Sequence, residues 1–340
     1  YLFVPNQNSD NISAYKIDQT TGHLTAVPGS PFTSGDRPFD IAVDPSGKFL
    51  YVPNFNANTV SAFSIAKETG VLTEVSGSPY ATGIANPIGV AISTLNGSSR
   101  LYVSHNGGSY AVAGFSMDTT TGALTGLSGS PFANSGTQSY NLAASANGEF
   151  LFVCNSLSNS VQSYTITAAT GALVPIANTG VSACTSVTLS RDSKYLYVAE
   201  GGTGTVEGFA ITAVTGALSG ISGSPFAAAA SLLGGFVDAT NSFFYVTGQS
   251  SAAIYPRTIS AVNGALSVNG STITPAGGGM PIAFTFDPLS KFAYAINATN
   301  DNIDGFTVGT GTGLLTPMTS GTPFVSGDNP SGGVVIAIAQ

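Results

Sequence analysis

In this chain, chemistry has to come from very few side chains. Its 340 residues include 17 Asp or Glu, nine Lys or Arg and two His. His105 lies in the run Tyr102-Val103-Ser104-His105-Asn106. An imidazole there can act as a general base near neutral pH. Glu200 ends Tyr197-Val198-Ala199-Glu200, where sister segments carry Asn. A carboxylate in an amide position is a candidate partner for that base. Arg37 and Asp40 are close enough in sequence to grip a small polar ligand, with a structural ion pair as the competing role. His23 sits in a Gly turn and reads as surface. Cys154 and Cys184 are the only cysteines, too few for a disulfide framework. They can form one bridge or stay as two buried thiols. There is no Ser nucleophile elbow, no Cys-x-x-Cys, no phosphate loop and no Asp-x-Asp-x-Asp-Gly loop. No metal and no cofactor are therefore expected. The Asn- and Asp-rich stretches 6–11 and 297–304 read as turn chemistry rather than calcium loops. Asn11, Asn96, Asn269 and Asn297 head Asn-x-Ser/Thr sequons, which matter only in a glycosylating host.

These residues hang on a repeat. Strands of the form Tyr-Val-x-Asn occur as Phe3-Val4-Pro5-Asn6, Tyr51-Val52-Pro53-Asn54 and Phe152-Val153-Cys154-Asn155, with weaker copies at Tyr102, Tyr197, Tyr245 and Tyr294. From Val4 to Ala295 the intervals are 48, 51, 50, 45, 48 and 49 residues. An apolar β-branched residue follows six positions after each Asn-equivalent, with Asn106/Val112 taken as the third pair. A Gly turn (Thr21-Gly22, Thr69-Gly70 and their counterparts) marks each copy once more. One unit reads as four strands: A over Phe39–Val43, a turn at Asp44-Pro45-Ser46-Gly47, B over Phe49–Pro53, C over Val60–Ile65 with half-buried alternation, and a short D from Leu72. Nothing shows helical periodicity. Seven copies of four antiparallel strands predict an all-β, seven-bladed β-propeller spanning residues 1–340 as one domain. Tyr1 enters at strand B, and 332–339 is an orphan strand A. The C-terminal strand is expected to pair with the N-terminal strand and close the ring, leaving no open edge. The B–C and D–A loops then share one face, the top, and the central channel opens among them. Arg37, Asp40 and the Asn residues that end B strands, Asn54, Asn155 and Asn297, are the expected ligand-binding side chains at that mouth.

Composition narrows the partners. A net charge of −8 and a pI near 4.4 exclude the basic surface that nucleic acid requires. No apolar run is long enough to span a membrane. The repeat starts at Tyr1, so no leader segment is expected within the chain as written. Few Lys and much Ser, Thr, Asn and Gly fit an extracellular, periplasmic or cell-surface location.

The Tyr-Val-x-Asn strand, the Asp44-Pro45-Ser46-Gly47-Lys48 turn, and Thr-Gly-x-Leu-Thr followed by Gly-Ser-Pro-Phe resemble the propeller lactonases, the 6-phosphogluconolactonase-like and carboxymuconate cyclase-like family. The resemblance covers the whole chain. It implies a top-mouth site built from His, Arg and Glu. Ala199-Glu200 is similar to the family's Asn-Glu strand end. The family's Gly-Pro-Arg-His run falls on Ser182-Ala183-Cys184-Thr185, and its other His positions fall on Phe39 or Asp40 and on Gln138-Ser139-Tyr140. Lactone hydrolysis needs a base for water and a cation or donor for the oxyanion, and on these positions both His and Arg are missing. The expected function is therefore a secreted or cell-surface binding, scaffold or assembly module. Its partner would be a small molecule, glycan or protein at the top face, or further copies of itself through the outer D strands. The alternative is a divergent lactone or ester hydrolase using Glu200 and His105.

Overall fold

In a computed structural model, the chain is described over residues 1–107, 110–318, 322–331 and, as a strand, 335–336. The described residues form seven antiparallel sheets and no helix. The A strands (Ala42–Val43, Pro87–Leu95, Ser139–Ala144, Cys184–Leu189, Leu232–Val237, Pro281–Phe286 and Val335–Ile336) touch one another in a closed circle. They line the channel, with B, C and D outward in each blade. The N-terminal strand Leu2–Asn6 pairs with the C-terminal one through Leu2↔Ile336 and Phe3↔Val335. The remainder of the predicted strand 332–339 lies outside the described residues.

Each strand's composition follows from its place. Strand B lies between two neighbouring blades, so Phe49–Asn54 is buried at every residue. The outer D strand Leu72–Glu74 buries only its first residue. The core is not one mass but seven clusters, each joining two adjacent blades. Tyr51, Tyr102, Tyr197, Tyr245 and Tyr294 are wholly buried. Each donates its hydroxyl to a glycine carbonyl in the next blade's C–D turn, such as Tyr51 to Gly122 at 3.0 Å and Tyr294 to Gly22 at 2.7 Å. The Tyr of the repeat is therefore an inter-blade strut. Phe3 and Phe152 fill the same place without the hydroxyl.

The Gly-Ser-Pro-Phe runs have a local task. Strand D breaks there, and the Ser hydroxyl takes a backbone N–H of strand C, as Ser78 does from Ala62 at 2.9 Å. The following residues then pair back with strand C, as Thr59↔Ala81 and Val60↔Tyr80. Strand A of the second blade is shorter than predicted. It covers Ala42–Val43 rather than starting at Phe39. Pro38 still bridges Asn54 and the Phe39 N–H donates to Pro53 at 3.0 Å, so residues 39–41 form a bulge like the register shifts at the same place in other blades, and within it Asp40 accepts the Ile41 N–H at 2.8 Å.

Candidate functional site

Strand register reassigns the first candidate. His105 pairs with Pro87, as Asn155 pairs with Ser139, Asn297 with Pro281 and Glu200 with Cys184. His105, not Asn106, is thus the Asn-equivalent, and the extra residue of this copy lies in the following loop. The structure places the expected general base His105 inside the blade, where the side chain is 0% exposed. Its Nδ1 lies 3.1 Å from the Ala111 carbonyl, and Nε2 has no partner among the described residues. Burial lowers its pKa to about 4, against two opposing backbone hydrogen bonds. It is a neutral residue of the blade interior.

The Asn residues expected to bind a ligand are buried in the same way. Asn54, Asn155 and Asn297 are 0% exposed and serve as clamps. Asn54 donates to Thr59 and Ser61 at 3.0 and 2.9 Å and accepts from the Ser34 hydroxyl. It ties the B–C hairpin to the loop that brings the chain into the blade. Asn6 repeats the pattern with Asn11, Ser13 and the Gly327 N–H. Asn155 accepts from Asn134 and Ser139, and Asn297 donates to Asn302 and Asp304. Asn54 and Asn155, engaged at both ends, have nothing left for a ligand, while Asn297 is held through its amide nitrogen and its buried Oδ1 has no partner among the described residues.

Glu200 is the carboxylate version of the same clamp. It is 2% exposed, accepts the Ser182 N–H at 2.7 Å and the Thr203 hydroxyl at 2.9 Å, and also accepts from the Thr205 hydroxyl. Glu207 occupies the register that Gln162 holds in blade four, each opposite a buried Val of strand B. Its pKa is pushed up to about 7 by burial first, then by the charge of Glu200 and a hydrogen bond to it. Glu200 is thus taken up in the blade wall, not held at the mouth.

The Asn- and Asp-rich loops have a second structural task. Asp10, Asn58, Asn159 and Asp301 adopt φ of 49–60°, a left-handed conformation their short polar side chains tolerate. From there each takes a backbone N–H of the next blade's entry loop: Arg37, Asn86, Ala183 and Asn329 respectively, at 2.8–3.1 Å. This lattice accounts for the composition of the loops. No cluster of three or more metal-ligating side chains occurs among the described residues.

The cavity itself lies at the channel mouth, with a volume of about 310 Å³. The A strands, chiefly their starts, and the first residues of B–C loops (Gln7, Gln249 and Ala298) build it. Asp40 is on its wall; Arg37, His105, Glu200 and the three clamping Asn residues are not. Arg37 and Asp40 form no ion pair. The Arg37 guanidinium lies 4.6 Å over the Phe55 ring and donates to Gln7 at 3.1 Å. Asp40 is half-buried, with Oδ1 accepting from Ile41 and Oδ2 from Val90 of the next blade at 2.9 Å. Burial pushes its pKa up to about 6, against those two bonds. Phe39 meets Tyr140 edge to face, with centroids 6.0 Å apart at 88°. Phe236 stands in the opposite part of the wall. Beside the cavity, Cys154 and Cys184 form a disulfide that joins blades four and five.

A closed ring of seven four-stranded antiparallel blades is a seven-bladed β-propeller. The profile described as "Lactonase, 7-bladed beta-propeller" matches residues 1–86 and 109–232, and the chain belongs to that family. No curated protein matches it. Among solved structures it is similar to a Bacteroides uniformis protein provisionally described as a 6-phosphogluconolactonase, with TM-score 0.84 and 19% identity over 98% of both chains. A Bacteroides fragilis protein with the same provisional description gives TM-score 0.82 and 19% identity over 98% of this chain and 96% of its own. The periplasmic gluconolactonase of Pseudomonas aeruginosa gives 0.75 and 18% over 99% of both. At these identities the likeness is one of fold.

The site that sequence reasoning named and the cavity overlap at Asp40 alone. The missed wall residues Phe39, Tyr140 and Thr185 stand where the resemblance puts family His residues. The signal was their common place at the start of strand A. Asn141 was missed altogether. It holds Asp40's register in blade four and likewise takes a next-blade N–H, that of Val187 at 3.0 Å.

Proposed function

We propose that this chain is a small-molecule-binding propeller whose ligand seats in the channel mouth, and that it works as a binding or assembly module outside the reducing cytosol. One observation carries the reading: a cavity of about 310 Å³ whose wall holds aromatic and neutral polar side chains, one carboxyl and no Lys, Arg or His. The size suits a small ligand. The wall has no cation for the oxyanion that lactone opening develops. The disulfide supports an oxidising compartment.

Family membership supports a second reading, hydrolysis of a lactone or related ester. In it Asp40 replaces His105 and Glu200, because it is the carboxylate that reaches the cavity. With a pKa near 6 it is largely ionised at neutral pH and basic enough to take a proton from water. A proton-release screen over a lactone panel separates the two, run on the wild type and on Asp40→Asn. No turnover is expected from either protein. Turnover by the wild type that disappears in Asp40→Asn would replace binding with hydrolysis. Self-association through the solvent-edged D strands is read by light scattering, where a purely monomeric sample would remove the assembly role.

A further inference from the structure

We infer that the mouth selects an uncharged, sugar-sized ring bearing hydroxyl groups, and that Asp40 is the residue that turns phosphorylated relatives of that ring away. This rests on the binding reading above and adds the chemical class of the ligand.

Three features of the wall lead there. The first is aromatic surface. Phe39, Tyr140 and Phe236 are all half-buried in the wall, so each keeps surface exposed in the mouth. The C–H face of a saturated ring packs against such surface without any charge. The second is the hydrogen-bonding set. An ionised carboxylate offers roughly four lone-pair sites, and Asp40 spends two on Ile41 and Val90. It therefore retains acceptor capacity for ligand hydroxyls. Asn141 spends its carbonyl on Val187, and its amide nitrogen has no partner among the described residues, so it can donate to a ring or carbonyl oxygen. Acceptor, donor and aromatic surface together suit a polyhydroxylated ring better than a purely apolar one.

The third feature is charge. No cationic side chain lines the cavity. Arg37 lies behind the wall residue Gln7, held on it and on the Phe55 ring. A phosphate ester in this cavity would meet a half-buried carboxylate and no cation in the wall itself, a repulsive element of the kind that sets specificity. Arg or Lys is the usual device for gripping phosphate, and the wall has neither.

Asp40 can be altered without losing its bond to the next blade, the Val90 N–H. Asn141 shows that an Asn in this register accepts the next blade's N–H, so Asp40→Asn retains the clip and removes the charge. Binding of uncharged aldohexoses and their lactones, and of phosphate esters of the same rings, is measured by titration calorimetry on the full chain and on Asp40→Asn. The chain contains no Trp, so Gln249→Trp at the exposed rim of the cavity adds a fluorescence reporter for any small molecule in the mouth. The expected result is an uncharged ring that binds the wild type at least tenfold more tightly than its phosphate ester, with the gap closing to about threefold or less in Asp40→Asn. Equal or tighter binding of the phosphate ester by the wild type would overturn the inference. So would a gap that Asp40→Asn leaves unchanged. If the rim reporter responds to non-sugar small molecules and to no sugar, the inference falls while the binding function stands. If it responds to nothing in a broad small-molecule set, both fall.

Discussion

Replacing Glu207 with Gln should make this protein more stable at alkaline pH and leave it unchanged in acid. In the folded chain the Glu207 carboxyl titrates near 7 rather than at its ordinary 4.5. The fold holds it half-buried beside the nearly inaccessible Glu200. The sign follows from linkage. A carboxyl with a raised folded pKa costs nothing below about pH 4.5, where both states are protonated. As pH climbs toward 7 the unfolded chain releases the proton first, and the fold loses that free energy. The interval between the two values corresponds to about 3 kcal/mol at full linkage. Solvent screening of a half-exposed group leaves about 1–2 kcal/mol. Gln at 207 cannot ionise and can still donate to Glu200, and Gln162 already occupies the same register in blade four. Urea unfolding at pH 4 and pH 8, followed by circular dichroism, measures the effect. Near-equal stability at pH 4 and a gain of about 1–2 kcal/mol for the variant at pH 8 is the expected outcome. Asp40 also titrates high, with the same sign, but it is present in both proteins and cancels in the difference. Parallel pH profiles would refute the carboxyl pair.

Other consequences concern the frame. Tyr197→Phe removes the 2.8 Å bond to the Gly264 carbonyl and should cost about 1 kcal/mol in denaturant unfolding. Phe3 and Phe152 show that the shape itself is accepted there. Reducing the Cys154–Cys184 bridge, which spans 30 residues, should lower stability by about 3–4 kcal/mol, seen as an earlier unfolding midpoint with reductant. His105 stays neutral in the fold with its pKa near 4. Its contribution is present above about pH 6.5 and lost as pH falls toward 4. His105→Asn restores the residue of the sister blades and should remove up to about 2–3 kcal/mol of that acid sensitivity, read as a flatter melting temperature between pH 7 and pH 4.

Taken alone, the sequence determined the architecture. A repeat of about 48 residues carries its own strands, turns and spacing in every copy. Because each blade packs only on its neighbours, local pattern was enough to predict the ring and its closing pair. The sequence also pointed to the starts of the A strands as the mouth. What tertiary structure decided was which departures from the repeat reach the cavity. Glu200 and His105 looked chemical because they replace Asn. Yet the Asn place is a buried clamp, and its substitutes inherit that burial. Asn54, Asn155 and Asn297 drew attention by recurring, and they recur because each blade needs the clamp. Asp40 and Asn141 differ in charge and sit far apart in the chain. Only the ring brings them to one wall, in one register, each holding the next blade's backbone. The period gives a side chain's place within its own blade. Whether it faces solvent, channel or neighbour depends on the strand beside it in the next blade, and that contact exists only once the ring has closed.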